Sequence, residues 1–339
     1  MHNDRMRVAV LDDWQAVARQ SADWSALQDR ADLFFFEEPF ADQDRLAKAL
    51  SEFDVIIAMR ERTKFSKALI DRLPRLRMIA LTGGRTWTTD FEALNARGIP
   101  MCHTGGEKSG AATAEIALGL LLGAARFMNR GDAAIRAGKF QDGVPAGPVL
   151  DGKTLGILGL GKIGSRMARY GAALGMQVIA WSENLTAEKA RAGGARLVSK
   201  HDLLVESDAL SLHVVLSERT RGILGAEELA KMKPGAILVN TSRGPLVDEA
   251  ALVERLKSGR LVAGLDVFDE EPLPEDHPLR SLPNAMLTPH LGYGSREVYA
   301  QFYRESIDNV LAFLDGRPQR VLNPEALAAG NATNKTQGG

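Results

Sequence analysis

Apolar residues fall into short runs separated by amphipathic stretches. MRVAVL (6–11), DLFFF (32–36), DVIIAM (54–59), LRMIAL (76–81) and IPMCH (99–103) read as strands, with helical segments such as DQDRLAKALSEF (42–53) between them. Strands that are apolar almost throughout, rather than alternating, suit a sheet covered on both faces, and regular strand–helix alternation makes that sheet parallel. A second series starts at LGILGL (155–160) and runs through VIAW (178–181), ALSLHV (209–214), AILVN (236–240), LVAGLDV (261–267) and AMLTP (285–289). The pattern predicts an α/β chain with two doubly wound parallel-sheet domains. The break between the two series falls near the Gly/Pro-rich segment AGKFQDGVPAGPVLDGK (137–153), which reads as a loop. A helix over 113–129 precedes this loop and could pack on either unit. The helical stretch from Arg296 to Asp315 follows the second sheet and could return to the first. The tail, 326–339, lacks apolar periodicity and is expected to be disordered.

A length of 339 residues is enough for two cores. Net charge is −1 with no basic stripe, which argues against nucleic acid or a membrane as partner. The apolar run from Ala114 to Met128 is too short to span a bilayer and contains Glu115 and Arg126, so it reads as a buried helix. The single cysteine, Cys102, cannot form an internal disulfide, and MHNDRMRVAVLDD lacks a signal pattern; both fit a cytoplasmic location.

Candidate chemistry begins at LGILGLGKIG (155–164). Gly159, Gly161 and Gly164 stand in G-x-G-x-x-G order between an apolar strand and the helical pattern SRMARYGAALG. One glycine permits the tight turn, one lets backbone approach a pyrophosphate, and one lets helix pack on strand. The helix start then offers N–H groups and partial positive charge to phosphates. The turn residues Gly159, Gly161, Lys162, Ile163 and Gly164 are therefore assigned to a dinucleotide in a Rossmann domain. After the next strand, the position that commonly carries an acid for the adenosine ribose is Ser182, followed by Glu183. A small polar residue there often accompanies NADP, yet no cation adjoins it, and Glu183 would oppose a 2′-phosphate or take the ribose itself. The residues favour NAD; Arg166, on the helix after the glycine turn, keeps NADP open.

Three later stretches follow strands of the second series: VNTSRGPLVDE (239–249), LDVFDEEPLPEDHPL (265–279) and LTPHLGYGS (287–295). Ligands collect at such strand ends in open α/β sheets. Arg243, Glu271 and His290 stand out there. An arginine can grip a carboxylate through two parallel hydrogen bonds, and a histidine can carry a proton near neutral pH.

Together with GLGKIG, the motifs N-T-S-R-G, D-V-F-x-x-E-P and T-P-H-x-G resemble the D-isomer-specific 2-hydroxyacid dehydrogenases over roughly residues 6–322. The resemblance implies NAD-linked interconversion of a 2-hydroxy acid and its 2-oxo acid, with Arg243, Glu271 and His290 catalytic and no metal. It implies that Arg243 also binds substrate, that His290 is the acid–base, and that Glu271 orients its ring. Thr113, Thr241, Ser242 and Asp266 match positions beside the cofactor, Asp266 the one that meets the nicotinamide amide. The stretch LTGGRTWTTD (81–90) sits where the family holds substrate carboxylate on backbone N–H groups, so Gly83 and Gly84 are substrate candidates; Arg85 and Trp87 depart from the commoner sequence. Arg60, in MRERT (59–63), meets a substrate anion or is a solvated charge. The resemblance further implies a discontinuous, flavodoxin-like substrate (lid) domain, 1–108 plus 298–325, beside a dinucleotide-binding domain, 109–297, closing over a cleft, and a homodimer. His213 is expected to shape the loop near the cofactor; His2, His201 and His277 read as solvated. Rival readings are a nucleotide-sensing corepressor or scaffold on the same fold, formate dehydrogenase (which has Gln where this chain has Glu271), and phosphite dehydrogenase.

Overall fold

The computed structural model describes residues 5–84 and 86–328; Arg85, His2 and the predicted tail beyond 328 lie outside the described residues. The chain forms two compact units, one from residues up to Glu107 and from Ser295 onward, the other Lys108–Gly294.

The first unit holds β1 (Met6–Val10), β2 (Ala31–Phe35), β3 (Val55–Ala58), β4 (Met78–Leu81) and β5 (Met101–His103). All pair in parallel in the order β2-β1-β3-β4-β5, the flavodoxin-like arrangement. β3 and β4 are buried at every position, as strands covered on both faces must be. The C-terminal helix Arg296–Leu314 packs on β4 and β5. Polar contacts tie its return: Asn309 Nδ2 donates to His103 O at 2.9 Å, and Glu305 accepts from Gly105 N at 2.6 Å. Further on, Asn323 Oδ1 accepts from Met101 N at 2.7 Å.

The second unit holds β6 (Thr154–Leu158), β7 (Gln177–Trp181), β8 (Arg196–Leu197), β9 (Ala209–Leu212), β10 (Ala236–Asn240), β11 (Leu261–Leu265) and β12 (Ala285–Leu287). Their order, β12-β11-β10-β9-β6-β7-β8, is all parallel and is the Rossmann order with one strand added. The strand order reverses between β6 and β9, and this is where such sheets receive ligands. β8 is the strand the hydrophobic pattern does not reveal, because two residues carry no periodicity.

The units do not part in the 137–153 loop. They part before the helix Ser109–Ala125, which packs on β10, β11 and β12 and on the helix Lys162–Ala173. Glycines let that helix sit against the sheet. A Cβ at Gly264 would lie 2.9 Å from Leu120 Cβ and 3.0 Å from its carbonyl oxygen, and one at Gly123 would strike Met286. The helix also stops earlier than its apolar run. It ends at Ala125, Phe127 turns left-handed at φ 49°, and a second helix, Met128–Arg136, leaves at 69°. Gly147 crosses so close to Ala125 that a Cβ there would lie 1.8 Å from its carbonyl oxygen, so returning chain occupies the path a longer helix would need. Among the described residues no single helix is long and apolar enough to cross a membrane.

Gly264→Val should lower stability by about 1–3 kcal/mol through overpacking, because the added atoms would meet the Leu120 backbone. A urea midpoint equal to that of the wild type would show that the helix contact tolerates the added atoms.

Candidate active site

Register brings the three charged stretches together. Asn240 on β10 pairs with Leu265 on β11, and Leu265 pairs with Leu287 on β12. The loops that follow therefore leave the same edge of the sheet side by side. Two local devices shape them. The buried Asn240 side chain accepts from Ser242 N at 3.0 Å and donates to Arg243 O at 2.9 Å, stapling the first loop. A Cβ at Gly244 would lie 2.1 Å from Phe268 C, so only glycine lets this loop lie against the next one.

Arg243 thereby comes close enough to Glu271 to help hold its carboxyl down. His290 Nδ1 and Glu271 Oε2 are 2.6 Å apart, while Glu271 Oε1 accepts from Phe268 N at 3.0 Å. Burial by itself raises the Glu271 carboxyl. The hydrogen bond and charge of His290, the Phe268 N–H and the charge of Arg243 outweigh it, so the group sits below its ordinary value. An ionised carboxylate only accepts hydrogen bonds, so the ring proton belongs on Nδ1 and the lone pair of the neutral ring on Nε2. The two side chains are 27% and 31% exposed, so the pair is reachable from outside. The His290 ring also makes an edge contact with buried Tyr293, centroids 5.9 Å apart.

The other expected contacts divide. Ser182 and Glu183 follow β7, with Glu183 exposed. Thr241 is buried and Ser242 Oγ donates to Leu212 O at 2.7 Å. Thr113 donates to Ser109 O and lies beside Gly292, where a Cβ would come 3.2 Å from its methyl. Asp266 is wholly buried, and its carboxylate is used by the 288–292 loop. In the first unit, Arg60 adopts φ 54° and its side chain covers Gly83 so closely that a Cβ there would lie 2.0 Å from Nη1. Gly83 N donates to Thr104 Oγ1 at 2.7 Å. That N–H is not directed at a ligand as expected; the glycine instead makes room for Arg60. A Cβ at Gly84 would meet nothing, and Trp87 is 65% exposed.

Two histidines differ from expectation or go beyond it. His277 is not solvated: Nε2 lies 3.0 Å from Glu249 Oε1 and Nδ1 accepts from Leu279 N, capping the turn that follows. His213 follows β9 with Nε2 2.8 Å from Ser211 Oγ, while its Nδ1 is buried without a partner. Sequence reasoning missed Ser211, Tyr293 and Thr288; only Thr288 carried a signal, as the first residue of T-P-H.

A family model described as the NAD-binding domain of D-isomer-specific 2-hydroxyacid dehydrogenases matches residues 118–292. The chain is 40% identical to the glyoxylate reductase of Aeropyrum pernix over 268 residues, covering 76% of this chain and 80% of that one. The chain belongs to the D-isomer-specific 2-hydroxyacid dehydrogenases. It is also 37% identical to the D-3-phosphoglycerate dehydrogenase of Methanocaldococcus jannaschii over 257 residues, 75% of this chain and 48% of that one, so it spans about half the length of that relative. A crystal structure of phosphoglycerate oxidoreductase from Vibrio cholerae superposes with TM-score 0.87 at 34% identity, covering 92% of this chain and 99% of the other. This dehydrogenase is thus an NAD-dependent oxidoreductase that interconverts 2-hydroxy and 2-oxo acids. The match supports that reading rather than the corepressor or the formate and phosphite alternatives.

The glycine turn of this dehydrogenase fits NAD. Gly159 adopts φ 98°, with no room for a Cβ beside the His213 carbonyl at 2.7 Å. A Cβ at Gly164 would lie 2.1 Å from Gly159 O, so helix and turn touch. Gly161 caps the helix Lys162–Ala173 without a side chain, and a Cβ there would meet nothing within 4 Å. The three glycines divide the work a pyrophosphate site requires: a turn, an open approach and close packing. The buried Thr241 Oγ1 and His213 Nδ1, just past paired strands β10 and β9, are further polar atoms without protein partners.

Desolvation pushes the His213 imidazole down from 6.5 to about 3. Between those values the unfolded chain binds a proton that the folded chain does not, so this group lowers stability as pH falls through that window. His213→Gln should flatten the loss of stability between pH 7 and pH 4, measured as urea midpoints; parallel wild-type and variant curves would contradict it.

Proposed function

We propose that this dehydrogenase reduces a small 2-oxo acid of the glyoxylate class to the D-2-hydroxy acid, with His290 as acid–base, Glu271 orienting it and Arg243 gripping substrate. The observation that carries the proposal is the 2.6 Å contact between His290 Nδ1 and Glu271 Oε2. With Nδ1 committed to the carboxylate, Nε2 is the nitrogen that can take or give a proton. When bound, the reduced dinucleotide would supply the hydride in reduction and the oxidised form would accept it in the reverse direction. Glu271 stabilises the ring when it is protonated, and its own fixed position, set by Phe268 N, limits how the ring can turn. In reduction, protonated His290 donates to the oxygen that becomes the hydroxyl. In oxidation, neutral His290 removes that proton. Arg243 can hold the carboxylate through a planar fork and polarise the neighbouring 2-oxo oxygen. The name of the Aeropyrum relative supports the small substrate.

We assign the 108–294 unit to the dinucleotide, with Gly159, Gly161, Lys162, Ile163, Gly164, Ser182, Glu183, Thr113, Thr241, Ser242 and Asp266 serving it. The other unit is the substrate domain, with Arg60 as an anion contact seated on Gly83 and with Gly84 beside it. The exposed Glu183 supports NAD over NADP. We also infer a cytoplasmic homodimer with neither nucleic acid nor membrane as partner. Met128, Ile135, Phe140 and Val149 are 51%, 58%, 72% and 70% exposed within one segment of the second unit, an apolar surface that a second copy would cover. Cys102 is buried with its thiol pushed up to about 12, which suits a chain without disulfides.

His290→Gln should lower kcat/KM for glyoxylate by about 10²–10⁴ while NADH affinity, read by fluorescence, stays close to wild type. Arg243→Lys should lose about tenfold to a hundredfold, because lysine cannot form the fork. Near-normal rates in both variants would sink the mechanism. Phe140→Asp should shift sedimentation toward the monomer; an unchanged mass would remove the segment from the dimer interface.

A further inference from the structure

We infer that Thr288, acting through the Asp266 carboxylate, is a positioning residue for His290. The inference rests on the reading of His290 as the acid–base.

The T-P-H segment is bent in two places. His290 N donates to Thr288 O at 3.0 Å, closing a three-residue turn around Pro289. His290 then adopts φ 53°, the left-handed region that a side chain bearing Cβ rarely enters. A residue held there is held by its surroundings. The chain on either side of it is gripped by one group, the carboxylate of Asp266 at the end of β11. Oδ1 accepts from Thr288 Oγ1 at 2.6 Å and from Leu291 N at 2.8 Å, and Oδ2 accepts from Gly292 N at 2.8 Å. The bonds bracket His290 and none is made to His290 itself.

The grip is lopsided in a way that makes Thr288 decisive. On the far side two backbone N–H groups serve, and almost any residue could supply them. On the near side the contact is a single side-chain hydroxyl. The far side is also packed tightly: a Cβ at Gly292 would come 3.1 Å from Asp266 Oδ2 and 3.2 Å from the Thr113 methyl. Gly292 is thus seated by packing as well as by its hydrogen bond, whereas Thr288 is only half-buried. Thr288 N also donates to Leu265 O at 2.9 Å, so loss of the hydroxyl leaves the start of the loop pinned at its backbone alone and lets the ring turn away from Glu271 Oε2.

The test is steady-state kinetics of the full-length enzyme with glyoxylate and NADH. Thr288→Val keeps the shape and removes the donor. Displacement of a reacting group by about an ångström can cost a hundredfold, so kcat should fall about 10–100-fold, with NADH affinity within about twofold of wild type. Thr288→Ser retains the hydroxyl and should return kcat to within about threefold of wild type. Were Thr288 merely structural, Val and Ser would lower Tm alike and leave kcat per folded enzyme unchanged. Wild-type kcat in Thr288→Val, or Ser no better than Val, overturns the inference. Should Val fail to fold, Thr288→Ala carries the same expectation, and failure of both to fold assigns the hydroxyl to the fold and overturns the positioning role. His290→Gln is measured alongside. If it keeps its rate, the acid–base reading fails. If it loses rate while Thr288→Val does not, only the positioning role fails.

Discussion

A carboxylate and an imidazole joined by a 2.6 Å contact fix what this site can do, and neither would be placed without the loop backbone around it. Glu271 has one oxygen on Phe268 N and the other on the ring. The ring sits on a left-handed residue inside a loop wrapped on Asp266. That arrangement of donors and acceptors leaves Nε2 as the ring nitrogen not engaged by the carboxylate. Burial works against the charge on Glu271, and the partners that hold it ionised are the same ones that orient it.

The sheet does the long-range work. Residues that lie far apart in sequence (243, 271 and 290) meet because β10, β11 and β12 pair in parallel with their ends in register. Parallel strands return to the same edge after every crossover, so each loop beyond a strand end arrives at one side of the unit. Glycines then set the spacing. Gly244 lets one loop lie on the next, Gly264 lets the helix Ser109–Ala125 lie on the sheet, and Gly159 and Gly164 let the dinucleotide turn close against the helix that follows. Each of these contacts is between backbone atoms or between backbone and a short side chain, where a methyl group would not fit.

Much of this was legible from the chain. Strands covered on both faces must be apolar throughout, and the central ones are; eleven of the twelve strands among the described residues show as apolar runs, and the missing one, β8, is two residues long. The charged trio was legible because each member follows a strand in a motif whose chemistry is coherent. What escaped depends on contacts between distant residues. The helix ends at Ala125 where the chain crosses at Gly147, and the helix that opens the second unit lies against Gly264. His277 reads as a solvated loop residue until Glu249 is found beside it. Gly83 suggests a free N–H until Thr104 takes it. The role of Asp266 in the 288–292 loop needs three donors that only the folded loop assembles.

The central claim is that Glu271 and His290 act as one unit, and a double-mutant cycle on kcat/KM addresses it most directly. Wild type, Glu271→Gln, His290→Gln and the double variant would be compared with the same 2-oxo acid and NADH. If the carboxylate works only through the ring, the double variant should be about as slow as His290→Gln alone. Losses that multiply independently would contradict the account, since Glu271 would then contribute to catalysis without His290.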